Sequence, residues 1–176
     1  MRSVLAHSLV QRAAKFARAK HKYQKRLNGE PYFVHPEAVA KNVAKWTNNP
    51  KVVAAAYLHD VIEDTGCDYE ILKKHFSSKV ADYVAMLSRD FRKPKKASLI
   101  EFRNTLRKAS GEVKLIAAAD IHDNVRSEAS PDFMRKYFEK TLKTLPYLKA
   151  GKLGKYREGI GDLIVKIQAR IRMYKS

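Results

Sequence analysis

Apolar residues recur at helical spacing along most of the chain, and the pattern breaks only at clusters of Gly, Pro and Asn. From Ser3 to about His21, Leu5, Leu9, Ala13, Phe16 and Ala17 share one side, with Arg12, Lys15 and Arg18 opposite, which predicts an amphipathic helix. Lys22 to Pro36 carries Asn28-Gly29 and Glu30-Pro31 and reads as a loop. Pro36 is expected to open a helix to about Trp46, with Val39, Val43 and Trp46 inward, and Pro50 to open the next. Asp68 reads as the cap of a short helix through Phe76, and Ser78 as the cap of another in which Val80, Tyr83, Val84 and Leu87 are apolar. A basic loop around Pro94 leads to a helix from Ser98 to about Ala109. Gly111-Glu112 starts an almost wholly apolar helix through Asn124. Ser130-Pro131-Asp132 starts a long helix ending before Pro146 or near Gly151. A Gly/Lys loop, Lys149 to Arg157, precedes a last helix from Asp162 to Tyr174. No stretch alternates with a period of two, so the expected class is all-α: a single helical-bundle domain over residues 1–176, with about nine helices and no internal repeat.

One stretch departs from simple amphipathicity. Val52 to Leu58 is apolar throughout, and His59, Asp60, Glu63 and Asp64 follow within six positions. Read as one continuous helix, it places His59 above Glu63 and Asp60 above Asp64 on a shared face. Leu58, Val61 and Ile62 surround that face with apolar surface, where unpaired carboxylates cost several kcal/mol or shift their pKa. A divalent cation would offset that cost. Gly66 then suits a left-handed position that ends the helix.

Charge narrows the partner. The 176 residues hold 36 basic and 18 acidic side chains, a net +18, which implies attraction to something anionic: a phosphorylated small molecule, nucleic acid or a membrane surface. One cluster is Arg89, Arg92, Lys93, Lys95 and Lys96; another runs from Lys149 to Lys175. The single Cys67 excludes an intramolecular disulfide and fits a reducing cytoplasm, and Met1 to His7 has no signal-peptide core. The expected location is cytoplasmic.

Four candidate metal ligands lie beside apolar sequence in three segments: His35, the pair His59-Asp60, and Asp120. Two imidazoles and two carboxylates suit Mn²⁺, Fe²⁺, Co²⁺ or Zn²⁺, and a metal site with open positions can activate water against a phosphate. Singly, His35 reads as a turn histidine and Asp120 as a partner for a buried Arg. Their order, H…HD…D, resembles that of the HD-domain metal-dependent phosphohydrolases. The segment Gln24 to Pro36 is similar to the Q-x-R-x-x-G-E-P-Y-x-x-H-P of Rel/Spo-type alarmone hydrolases. Leu58 to Thr65 resembles their L-H-D-x-x-E-D-T, and Ala119 to Arg126 their A-D-x-x-x-N-x-R. The chain leaves no room for a synthetase domain, so it looks like the stand-alone small alarmone hydrolases.

The resemblance implies one Mn²⁺, or another divalent ion, held by His35, His59, Asp60 and Asp120. Glu63 and Asp64 would orient or deprotonate the attacking water. Arg26 would stack on the purine, with Asn124 on the nucleoside; Asn28 is a further substrate-binding candidate, and Arg126 reads equally as a substrate-phosphate contact or as a structural ion pair. The implied reaction removes the 3′-pyrophosphate of (p)ppGpp, or of an adenine analogue such as (p)ppApp. The sequence departs from the family pattern at Leu27 and Ile121, where basic residues are frequent, and at Asp123, in place of His or Tyr. Asp123 is expected to add negative charge near an anionic substrate. Two other readings stand beside this one: an HD hydrolase of another nucleotide, such as NADPH or a 3′-phosphorylated nucleotide, and a basic nucleic-acid-binding module with a vestigial site. No recognised nucleic-acid motif or aromatic stacking platform supports the module. His7, His21 and His75 are assigned no role, His122 is read as structural, and Cys67 as incidental.

Overall fold

The computed structural model describes residues 3–175; Met1-Arg2, Ser176 and the side chain of Lys175 lie outside the described residues. A 3₁₀ turn, Val4–Ala6, leads into α1 (Ser8–Lys20), α2 (Val34–Ala44), α3 (Pro50–Leu58), α4 (Val61–Asp64), α5 (Tyr69–His75) and α6 (Ser78–Leu87). There follow α7 (Lys95–Lys108), α8 (Gly111–Asn124), α9 (Pro131–Leu142), α10 (Leu145–Lys149), a second 3₁₀ turn (Gly154–Tyr156) and α11 (Arg157–Lys175). Among the described residues there is no strand, only an isolated bridge between Lys25 and Pro31. Nine of the α-helices have seven or more residues, which agrees with the all-α expectation.

The two helices that are apolar all round sit at the centre. Every residue of α3 from Val52 to Leu58 is buried, as are Val113 to Ala119 of α8. Helix α3 packs against α1, α2 and α6, and α8 packs against α2, α11 and α3. Each fully buried Val or Leu there contributes roughly 1.5–3 kcal/mol of transfer free energy. Lys114, though fully buried, donates to the carbonyls of Arg107 at 3.2 Å and Ala150 at 2.5 Å, so it caps the ends of α7 and α10. Gly111 starts α8 where a Cβ would collide with the Leu153 backbone.

Several expected boundaries move, each for a local reason. The stretch after Pro50 is not one helix: α3 ends at Leu58, and α4 restarts at Val61. The Ala56 carbonyl, which an unbroken helix would use for the next backbone N–H, accepts from His59 Nδ1 at 2.9 Å, a side chain competing with its own helix. The first helix is likewise divided at His7, whose Nδ1 accepts from the Leu9 N–H at 3.2 Å and caps α1. Helix α2 begins at Val34, two residues before Pro36, because a proline in the first turn lacks only an N–H that would be unpaired there. Ser77, not Ser78, caps α6, and α7 begins directly after Pro94. The helix from Ser130 divides into α9 and α10, and α11 begins at Arg157, before Asp162. Gly66 does adopt positive φ, 66°, where α4 stops.

Candidate metal centre

The three ligand-bearing segments converge. His35 lies in the first turn of α2, His59 and Asp60 form the joint between α3 and α4, and Asp120 lies on α8. Both imidazoles are buried, at 1% and 3% exposure, with rings 5.1 Å apart. His35 Nε2 lies 3.1 Å from Asp120 Oδ1 and 3.5 Å from Asp60 Oδ2. His59 Nε2 lies 3.0 Å from Asp60 Oδ2 and 3.6 Å from Asp120 Oδ1. Ligand atoms of His35, His59 and Asp120 all fall within 4.8 Å of one another, a group that could hold a metal ion. Asp60 stands beside them and accepts the Tyr32 hydroxyl at 2.6 Å.

The residues fit a divalent cation. Neither Nε2 has a hydrogen-bond partner, although both are buried. The opposite nitrogens are committed: His35 Nδ1 to Asp123 Oδ2 at 2.6 Å, and His59 Nδ1 to the Ala56 carbonyl. A carboxylate or carbonyl can only accept, so each Nδ1 carries a proton, and each Nε2 faces the acids, where it can offer its lone pair to a cation. Burial opposes charge on both rings, yet Asp120 and Asp123 carry His35 upward, and Asp60 and Asp120 carry His59 well above the ordinary imidazole value. Burial pushes the acids toward neutrality, but His59 holds Asp60 down to about 2, and His35 and His59 hold Asp120 below the usual carboxylate range. The cluster selects positive charge at its centre.

Asp123 is therefore not a repulsive intruder. It orients His35 and also receives Arg26 Nη1 at 3.1 Å, while Arg26 Nη2 bonds Ser127. Asn124, expected on the nucleoside, donates Nδ2 to Asp120 at 2.6 Å. Asp64 accepts from Gln24 Nε2 at 3.0 Å, and Gln24 Oε1 lies 2.7 Å from Nδ1 of His21. His21 is buried and stacks on Tyr32 at 4.8 Å, so it is part of the scaffold behind the acids. Gln24 and Tyr32 stood within the quoted motif, but their partners were visible only once the loop was folded onto α4.

Glu63 has a cationic clamp. Its carboxylate accepts the Arg89 backbone N–H at 2.8 Å and the guanidinium at 2.7 Å. Burial raises its pKa and Arg89 works against that rise. A cavity of about 260 Å³ opens over the centre, lined by His59, Asp60, Glu63, Asp64 and Asp120 and also by Arg89, Tyr137, Lys140 and Thr141. Tyr32, Asn124 and Tyr137 also line a neighbouring cleft of about 330 Å³ with Arg26, Leu27, Asn28 and Phe133. Arg126 is not among the residues lining either space; it borders a further cleft with Arg26, Asn28 and Asp123, and others with His122 and Lys166 on the α11 side. His122 is buried there, its Nδ1 without a partner, and burial and Arg126 lower its pKa.

An HD-domain family model matches residues 13–109, more than half of the chain. The chain belongs to the HD-domain family. This HD-domain chain is 37% identical over 121 residues to a guanosine-3′,5′-bis(diphosphate) 3′-pyrophosphohydrolase of Aquifex aeolicus, covering 67% of the chain and 17% of that protein. It is 38% identical over 134 residues to the Haemophilus influenzae protein of the same name, covering 72% of the chain and 20% of that protein. The chain thus spans about a fifth of the length of these curated relatives. Among solved structures, a metazoan ortholog of SpoT, described as hydrolysing ppGpp with a role in starvation responses, superposes with a TM-score of 0.77. That likeness covers 91% of this chain and 96% of the other at 24% identity, and shows the fold. No described helix is long and apolar enough to cross a membrane.

Proposed function

We propose that this HD domain, taken as one unit over residues 1–176, is a cytoplasmic Mn²⁺-dependent hydrolase. It removes the 3′-pyrophosphate of (p)ppGpp, or of an adenine alarmone such as (p)ppApp, releasing the nucleoside 5′-di- or triphosphate and pyrophosphate. The observation that carries the reading is the pair of buried, unpartnered imidazole nitrogens facing two carboxylates at the floor of a cavity that shares its wall with a second cleft. The names of the bacterial relatives support the substrate class.

When bound, the divalent ion supplies Lewis-acid stabilisation of phosphorus-borne charge and lowers the pKa of water. His35, His59, Asp60 and Asp120 would hold it. Asp123 and the Ala56 carbonyl keep both Nε2 lone pairs available, and Tyr32 fixes the angle of Asp60. Glu63 and Asp64, one turn on, orient the attacking water and take its proton; a base whose pKa burial raises toward the working pH suits that role. The nucleoside lies in the cleft beyond Tyr32 and Tyr137, against Arg26, Asn28 and Asn124. Arg26 is pinned edge-on by Asp123 and Ser127, which leaves a planar face for a purine.

The test is purified protein with Mn²⁺ and a panel of ppGpp, pppGpp, their adenine analogues and NADPH, read by product chromatography. Release of pyrophosphate from a 3′-diphosphate is expected. Release of phosphate from NADPH alone would replace the alarmone reading. Tight, steeply salt-dependent RNA or DNA binding with no hydrolysis would favour the nucleic-acid module.

A further inference from the structure

The cavity over the candidate metal centre carries both signs of charge. Asp60, Asp64 and Asp120 line it together with Arg89 and Lys140. Arg89 already holds Glu63. Lys140 is different: it forms no ion pair among the described residues, and its ammonium lies 5.4 Å from the ring centroid of Tyr137, which lines the same cavity.

From this placement we infer that Lys140 binds the outer phosphate of a diphosphate whose inner phosphate lies over His35, His59, Asp60 and Asp120, and so selects a diphosphate over a monophosphate. The inference rests on the nucleotide-hydrolase reading above and names what Lys140 does in that site.

The backbone of Lys140 is fixed for the task. Its carbonyl accepts from Arg103 Nη2 at 3.0 Å and from Thr144 Oγ1 at 2.8 Å, and Arg103 Nε donates to the same Thr144 hydroxyl at 3.1 Å. The root of the side chain is thereby held by α7 and by the residue between α9 and α10, and only the stem adjusts. The charge is kept against resistance. Burial, then Arg89, and more weakly Lys95 push Lys140 down to about 8, while Asp120 and Glu63 act in the opposite direction. A cation kept in a cavity without a counter-ion is a candidate for ligand binding. A monophosphate seated over the acids leaves Lys140 unanswered. A second phosphate satisfies it through a charge-assisted hydrogen bond.

Calorimetry on the full chain loaded with Mn²⁺, using inorganic pyrophosphate and inorganic phosphate as probes, tests the assignment without needing turnover. Wild type should bind pyrophosphate about tenfold or more tighter than phosphate, the size of one charged hydrogen bond. Lys140→Met should cut that preference about tenfold while phosphate affinity and Mn²⁺ binding stay unchanged. Lys140→Arg should keep most of it, and this variant carries the test should the Met variant fail to fold. Equal weakening of both probes by Lys140→Met, or an unchanged preference, overturns the inference. A wild type inert toward every alarmone but showing the Lys140-dependent preference would overturn the substrate reading alone. A wild type active on ppGpp with the preference unmoved by Lys140→Met would overturn this inference alone.

Discussion

The candidate metal centre and the basic residues of the central cavity are built to different rules. Around the candidate metal centre three groups are each held twice: His35 between Asp123 and the acids, Asp60 between Tyr32 and His59, Asp120 between Asn124 and the imidazoles. Of the basic residues, Lys140 has no acid, and a single clamp ties Arg89 to Glu63. The first arrangement fixes geometry in advance, as a site for a demanding ion requires. The second leaves charge uncompensated until a ligand arrives.

Four substitutions would break or sharpen that contrast, from the largest expected effect to the smallest. Asp60→Ala removes a proposed ligand and frees Tyr32. Turnover with Mn²⁺ should fall by roughly 10³-fold or more, with helical circular dichroism retained; an active variant would remove Asp60 from the ligand set. Glu63→Gln should lower kcat by about 10²-fold or more with little change in Mn²⁺ affinity, because it removes a base and leaves the centre alone. Equal loss of both would make Glu63 a structural partner of Arg89. Asp123→Asn keeps the shape but weakens the hold on the His35 tautomer, so Mn²⁺ affinity should drop about 10- to 100-fold by competition with a chelating dye. No change there would mean that the ring is oriented by packing.

The smallest effect carries the opposite sign. The folded protein depresses Lys140 from an ordinary 10.5 to about 8, so between those values the unfolded chain binds more protons. Stability therefore rises with pH across that window, and below it the full penalty remains. Lys140→Met should raise Tm at pH 7 by a few degrees, corresponding to roughly 1 kcal/mol, and the gain should shrink as pH climbs past 8. A lower Tm at pH 7 would show that the ammonium stabilises the fold.

The same contrast explains what could be read in advance. The candidate ligands His35, His59, Asp60 and Asp120 belong to ordered local motifs, so the sequence alone singles them out, as it does the two apolar helices that bury them. The helix break at His59 was hidden because the apolar run passes smoothly into Val61 and Ile62; the side-chain bond that divides it leaves no compositional trace. Asp123 was misjudged because spacing on α8 shows which face it shares, but not that Arg26 and His35 wait there. Arg89 had been grouped with a basic loop, and Lys140 was anonymous on an amphipathic helix. They meet Asp120 only because α6, α8 and α9 close around one space, and that proximity has no counterpart in sequence distance.

The bond from the His59 ring to the Ala56 carbonyl has a practical consequence. One proposed metal ligand is aimed by the winding of the backbone beneath it, so loosening the last turn of α3 would swing the imidazole aside even if every other side chain of the centre were intact. Titration with a chelator should then serve as a gauge of how tightly that single turn is wound, and a destabilising change deep in the apolar run would register first as a slackened grip on the ion.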